Sequence, residues 1–223
     1  MAIIASFLNK LRDIYPALTS RIVLLHDRFI DHRVCGCSLR GKRDISVEGG
    51  TSYSPTCYWT LDQIFSPIEF KPSDHIVDVG CGKGRALAYF LHKKFPGRIT
   101  GIEYEPDLAS AARSWLKCYS PEKVRIIEGD AFAQTYDEYT DIYIFRPFET
   151  PYFIKFINLL EEQLTHPIRL YYMSDSINGG YLLNRPGWVL KKRCQSYRKY
   201  GLYLWRAPQT FSIWNYTPAK NKV

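Results

Sequence analysis

The chain is predicted to fold as an α/β protein, a mostly parallel β-sheet covered on both faces by helices, and three observations lead there. From residue 75 onward, short β-prone runs alternate with helical stretches, the pattern of a parallel sheet built from strand–helix–strand units. Between the first strand and its helix lies Gly80-Cys81-Gly82-Lys83-Gly84, three alternate glycines with Asp78 two positions before the first. After Pro186 the runs are β-prone with no long helix between them, which predicts an antiparallel hairpin finishing the sheet.

In chain order, residues 1–50 read as an N-terminal helical and loop extension and 51–223 as the main domain. Helical signals run over 6–14 and 17–29, split by Pro16. Ile3, Ile4, Phe7, Leu8 and Leu11 fall at helical spacing. That segment is too short and too weakly apolar for a secretory signal. It reads as an amphipathic helix packing on the domain, with contact to a membrane surface as the alternative. Residues 36–51, rich in Gly, Ser and charge, read as a loop or short hairpin. A helix starts at Thr60 and runs through Phe65, and Pro67 and Pro72 bracket the connector to the first core strand. Strands are expected near 75–80, 98–103, 123–127, 141–145 and 168–173, with helices at 84–95, 106–118 and 151–164. Pro106 and Pro151 suit a first helical turn, where the missing N–H costs nothing. The last β-prone runs are Trp188-Val189-Leu190, Leu202-Tyr203-Leu204-Trp205 and Phe211-Ser212-Ile213-Trp214.

With 223 residues the chain can bury one sizeable core, and two full domains would be cramped. Its 46% hydrophobic and 23% charged residues exclude a disordered chain. No apolar run reaches the roughly 18 residues of a membrane span. Six cysteines, at 35, 37, 57, 81, 118 and 194, show no pairing pattern, and Cys35-Gly36-Cys37 has no second cluster at zinc spacing. Reduced thiols in a cytoplasmic enzyme without a metal site are the expectation. The net charge of +8 is uneven: residues 176–223 hold nine Lys or Arg and no Asp or Glu. Such a patch attracts phosphates and other anions. Lys191-Lys192-Arg193 reads as a solvated strand face, or alternatively as a nucleic-acid contact.

The glycines by themselves admit several nucleotides. A strand that stops at a glycine turn and restarts as a helix presents unpaired backbone N–H groups at the strand's carboxyl end. Missing side chains let a ligand approach the backbone. The dinucleotide fingerprint is G-x-G-x-x-G, whereas the spacing here is G-x-G-x-G, and no G-x-x-x-x-G-K-[ST] phosphate loop occurs. Asp78 would repel a pyrophosphate but suits a ligand with an ammonium group, which favours S-adenosylmethionine. Glu103, with Tyr104 beside it, ends the second strand, where a carboxylate can accept from both ribose hydroxyls. Asp130 follows the third strand and can accept from an adenine amino group, with the Ala131 N–H facing the ring edge. The fourth strand ends in Arg146-Pro147-Phe148.

Acid, glycine turn, acid, acid and proline turn, in that order at successive strand ends, resemble the class I S-adenosylmethionine-dependent methyltransferases. The likeness covers roughly residues 50–175. With Tyr53-Ser54-Pro55-Thr56-Cys57-Tyr58 before the core, the chain is similar to a bacterial methyltransferase group of unassigned substrate. It resembles more distantly the Dot1-type histone lysine methyltransferases, which carry a tyrosine-bearing loop before the glycine motif. The resemblance implies a Rossmann-like fold with a mostly parallel seven-stranded sheet. It implies S-adenosylmethionine as cofactor, held by Asp78, Gly80, Cys81, Gly82, Gly84, Arg85, Glu103, Tyr104, Asp130, Ala131, Arg146 and Pro147.

In the bacterial group the turn after the fourth strand is Asn-Pro-Phe, and here Arg146 takes the asparagine's place. Arginine has no acceptor, so its side chain cannot hold an amine. It suits a carboxylate or phosphate, on the acceptor or in the cofactor's tail. A salt bridge with Glu149 or another acid is the structural alternative. Tyr53 is a second acceptor-positioning candidate, or else a surface turn tyrosine. Tyr172 and Met173-Ser174-Asp175, at the end of the fifth strand, are a third, with Asp175 a base or a loop cap. Histidines 26, 32, 75, 92 and 166 lie outside the motif loops and are expected at the surface or in packing. The expected activity is methyl transfer to a small molecule or glycan intermediate. An RNA or protein-lysine acceptor, a non-catalytic cofactor-binding module and an NAD-dependent oxidoreductase are the alternatives.

Overall fold

A computed structural model describes residues 21–41, 48–195, 198–199, 202–203 and 210–219. The helical signals at 3–14, Pro16 and the Leu204-Trp205 pair lie outside these residues. In chain order the strands are β1 (His75–Val79), β2 (Arg98–Glu103), β3 (Val124–Glu128), β4 (Asp141–Phe145), β5 (Ile168–Met173), β6 (Trp188–Gln195), β7 (Arg198–Lys199), β8 (Leu202–Tyr203) and β9 (Thr210–Tyr216). Seven of them form one sheet in the order β3-β2-β1-β4-β5-β9-β6, and β7 and β8 form a separate pair. The first five are parallel. β9 runs antiparallel between β5 and β6.

The sequence explains this layout locally. All five residues of β1 are buried, as they must be in a central strand covered on both faces, so it reads as an apolar run broken only by His75 at its start and Asp78. One face packs under α1 (residues 21–35), α2 (Tyr58–Phe65), α3 (Arg85–His92) and α4 (Pro106–Leu116), where Phe65, Phe90, Tyr143 and Tyr171 form an aromatic core. The other packs under α5 (Thr150–Gln163), whose Phe153, Phe156, Ile157 and Leu160 meet Ile142, Ile144, Leu170 and Trp214.

Several element boundaries move for physical reasons. α1 continues six residues past Phe29, and its Asp27 and Asp31 accept hydrogen bonds from Tyr58 and Arg85. α3 stops at His92 because Lys94 turns to a positive φ of 55°. β6 runs on through the cluster Lys191-Lys192-Arg193 to Gln195, because pairing with β9 continues across a register shift between Leu190 and Lys192.

Candidate functional site

Between β1 and β4 the strand order reverses, so neighbouring crossovers leave on opposite faces and a crevice opens at the carboxyl ends. The cleft there measures about 830 Å³ and is walled by residues 48–56, Asp78–Cys81, Ile102–Glu105, Gly129–Phe132, Phe145–Phe148, Tyr152 and Ser174, so that of the glycine turn Gly80 and Cys81 face it and the expected Gly82 and Gly84 do not. That volume suits a small ligand or cofactor.

The glycine turn is folded back onto β2. Gly80, Gly82 and Gly84 take φ values of 76°, 57° and 84°, conformations that other residues rarely adopt. The Gly80 and Cys81 N–H groups donate to the Ile102 carbonyl at 2.9 and 3.0 Å. Gly82 N–H donates to Glu103 Oε2 at 2.6 Å, and Gly84 N–H to the Cys81 carbonyl at 2.9 Å. This corrects the expectation of unpaired donors: the left-handed glycines curl the turn so that these four N–H groups are spent internally. A pyrophosphate would find few donors and a nearby carboxylate. The missing side chains also make room for protein. A Cβ on Gly80 would lie 2.8 Å from Pro147 Cβ, and one on Gly82 would lie 2.2 Å from the Tyr53 ring. Cys81 is buried, with its sulfur against the bare Cα of Gly101 on β2.

Five acids line the cleft, Glu48, Asp78, Glu103, Glu105 and Asp130, and three of them stand at strand ends. Asp78 is 5% exposed. Burial holds its carboxyl well above the usual carboxylate range, and the Glu103 charge adds to that. Burial also raises Glu103, against the pull of the Glu105, Gly82 and Tyr104 N–H groups. Glu103 Oε1 accepts from Glu105 N–H at 2.9 Å. With three N–H groups drawn to its two oxygens, Glu103 still keeps acceptor capacity for a ligand. Asp130 is exposed and caps the short 3₁₀ turn Ala131–Ala133 by accepting from Phe132 N–H at 2.9 Å. Its other oxygen is unused among the described residues. Ala131 is buried beside it, and Tyr104 is exposed at the rim.

The remaining candidates divide. Arg85 reaches the cleft wall, but its Nη1 and Nη2 donate to Asp27 at 3.1 Å and Asp31 at 2.8 Å on α1. Tyr53 is not a surface turn residue: it is buried, its ring covers Gly82, and its hydroxyl donates to the Leu39 carbonyl at 2.8 Å. Burial raises that hydroxyl's pKa further above the ordinary phenol value. Arg146 lines the cleft at a positive φ of 39°. Its carbonyl accepts from Thr51 Oγ1 at 2.5 Å. Among the described residues its guanidinium has no ion pair, so the expected alternative bridge to Glu149 is not formed there. Tyr172 is buried and stacked on Phe153 at 5.0 Å. Asp175 is buried against Arg193 Nε at 2.9 Å, which removes it as a free base.

Sequence reasoning missed how the loop before the core is fastened. Thr51 N–H donates to the Pro147 carbonyl at 3.2 Å, Glu149 N–H to Gly49 at 2.8 Å, and Gly50 bridges Phe148. Thr56 Oγ1 and Tyr143 Oη share a hydrogen bond of 2.7 Å. Only the quoted Tyr53–Tyr58 run hinted at this. Phe132, Phe148 and Tyr152 form an aromatic wall, of which the sequence signalled only Phe148, through the proline turn. Among the described residues no cluster of His, Cys, Asp or Glu could hold a metal.

Comparison with known proteins agrees with this geometry. Residues 76–153 match the family model described as a methyltransferase domain. A 55-residue stretch is 36% identical to trans-aconitate 2-methyltransferase of Escherichia coli, covering 24% of this chain and 21% of that enzyme. The chain thus spans about a fifth of that curated relative's length. Among solved structures, the fold is similar to a putative methyltransferase, yhhF, from Escherichia coli (TM-score 0.57, 18% identity, 80% of this chain and 100% of that one). It is also similar to an RNA methyltransferase from Salinibacter ruber bound to S-adenosyl-L-homocysteine (TM-score 0.53, 19% identity, 76% and 96%).

Proposed function

We propose that this chain, whose residues 76–153 carry a class I S-adenosylmethionine-dependent methyltransferase domain, transfers a methyl group from S-adenosylmethionine to a small anionic acceptor or glycan intermediate. Residues 51–223 act as the catalytic domain and 1–50 as its extension. The observation that carries the proposal is the donor set of the cleft. Asp78, Glu103 and Asp130 line it together, while the N–H groups of Gly80, Cys81, Gly82 and Gly84 are already used. Three carboxylates suit an ammonium, a pair of ribose hydroxyls and an adenine amine, and they oppose a pyrophosphate.

When bound, the cofactor supplies an electrophilic methyl on its sulfonium. The chain's own residues position and enclose. Asp78 meets the ammonium, Glu103 keeps acceptor capacity for the ribose hydroxyls, and Asp130 offers its unused oxygen to the adenine amine. Tyr53 and Pro147 clamp the glycine turn, so its shape is set before any ligand arrives. Arg146, unpaired among the described residues, is the group available to an acceptor's carboxylate or phosphate. The curated relative's name, trans-aconitate 2-methyltransferase, specifies an acceptor of that charge. The free cysteines support a reducing, cytoplasmic setting.

An RNA acceptor is the second reading, favoured by the exposed Lys191 and Lys192 on β6. The third member of that cluster, Arg193, is tied to Asp175, which shrinks the patch. Calorimetry with S-adenosylhomocysteine and NADH tests the cofactor assignment. The first should bind and the second should not, and Asp78→Ala should weaken or abolish the binding. NADH binding instead would sink the assignment. A turnover screen for released S-adenosylhomocysteine across carboxylate, phosphate, glycan and RNA pools then separates the acceptors.

A further inference from the structure

We propose that α1 docks the protein onto an anionic lipid surface, a property independent of the methyl-transfer reading. The helix sorts its side chains by face. Val23 and Ile30 enter the core, and both of its acids, Asp27 and Asp31, are buried against Arg85. The outward face carries Ile22, Leu25 and Phe29, which are 46%, 67% and 64% exposed. Their spacing of i, i+3 and i+7 makes one continuous stripe. Scattered exposed apolar residues are ordinary, but a cluster marks a contact surface. Three of the eight large apolar side chains exposed among the described residues lie on this stripe.

Arg21, Arg28, His32 and Arg33 stand beside the stripe, all exposed. At about 100° per residue, Arg33 falls on one edge and Arg21 and Arg28 on the other. None of the three arginines forms an ion pair among the described residues. The exposed face thus presents large apolar groups between permanent cations, with no acid.

Charge decides among possible occupants. A second copy of the chain would set arginines against arginines. An RNA backbone would match the cations but leave Leu25 and Phe29 without a partner. An anionic bilayer satisfies both, since apolar side chains enter the headgroup boundary while arginines reach lipid phosphates. The contact is peripheral, because no helix among the described residues is long and apolar enough to cross a membrane.

Flotation of the full chain with vesicles tests the proposal, using phosphatidylcholine alone and phosphatidylcholine with an equal part of phosphatidylglycerol. Wild type should partition at least about tenfold more onto the anionic vesicles at low ionic strength, and less as salt is raised. Leu25→Glu/Phe29→Glu should abolish partitioning, and Arg28→Glu/Arg33→Glu should reduce it by about tenfold. Both variants should melt like wild type, because all four side chains are exposed. Equal partitioning onto the two vesicle types would overturn the proposal. So would undiminished flotation of Leu25→Glu/Phe29→Glu, self-association lost in that variant without any lipid binding, or a preference for RNA that the apolar pair does not alter.

Discussion

The Asp78 carboxyl is buried beside Glu103, and both influences raise its pKa above 3.8. A carboxyl whose folded pKa is raised stabilises the fold most below its unfolded pKa, and that contribution is lost as pH rises through the folded value. Once ionised, Asp78 therefore weakens the fold while offering its charge to a cationic ligand. Asp78→Asn should raise the melting temperature at pH 7 by a few degrees, roughly 1 kcal/mol. It should also weaken S-adenosylhomocysteine binding by at least about tenfold, measured by melting scans and calorimetry. A lower melting temperature with unchanged affinity would make Asp78 a structural acid. Gly82 has a different constraint: its φ of 57° and the Tyr53 ring leave no room for a Cβ. Gly82→Ala should cost about 1–3 kcal/mol in denaturant unfolding. The double variant with Tyr53→Ala should lose less than the sum of the two, since the clash is gone. Arg146→Gln should raise the acceptor KM by about tenfold or more, through a lost charge-assisted bond, with cofactor affinity unchanged.

Among elements, α1 and α3 are joined by a buried ion cluster rather than by apolar contact alone. Arg85 donates to Asp27 and Asp31, and Tyr58 Oη donates to Asp31 at 2.8 Å. The cluster begins α3 directly after the glycine turn, so α1 braces the site's first helix. Breaking such a pair strands a buried charge. Asp31→Ala should destabilise the protein by about 3–5 kcal/mol in urea titration, far more than an exposed pair such as Arg125–Glu138 would. A change within experimental error would show that the cluster opens to water. The loop at 49–51 is fastened otherwise, by backbone bonds to 147–149. Its hold on the proline turn therefore depends little on side-chain identity.

For the whole molecule, acid sensitivity should centre on His75. It is buried at the start of β1, with Nε2 sharing a hydrogen bond of 2.8 Å with Thr100 Oγ1. Burial, helped by Arg98, pushes its pKa down from 6.5 to about 4 against the pull of Glu138. A histidine lowered in the fold stabilises above its unfolded pKa and loses that contribution as pH falls through the folded value. Between pH 6.5 and 4 the protein should lose up to roughly 3 kcal/mol from this group. Urea unfolding across that range should show the loss, and His75→Gln should flatten it. Asp78 and Glu103 act with the opposite sign, so the acid limb should steepen once their proton uptake no longer favours the fold.

Alternation of β-prone and helical runs determined the parallel sheet, because each buried strand needs apolar residues on both faces and each covering helix needs one apolar stripe. The acids at strand ends and the three glycines determined where the cleft lies, since strand ends in such a sheet converge at the switch point. Tertiary structure alone decided what those residues do there. Arg85 follows the glycine turn in sequence but answers to α1, because two acids more than fifty positions away are buried beside it. The glycine N–H groups, free in a linear reading, are consumed by Ile102, Glu103 and Cys81 once β2 lies alongside. The α1 helix loses its acids to the interior, and the charges left outside, flanking its apolar stripe, are basic. Periodicity and residue type encode which groups meet an interface, whereas partners distant in the chain decide which charges and donors remain available to a ligand.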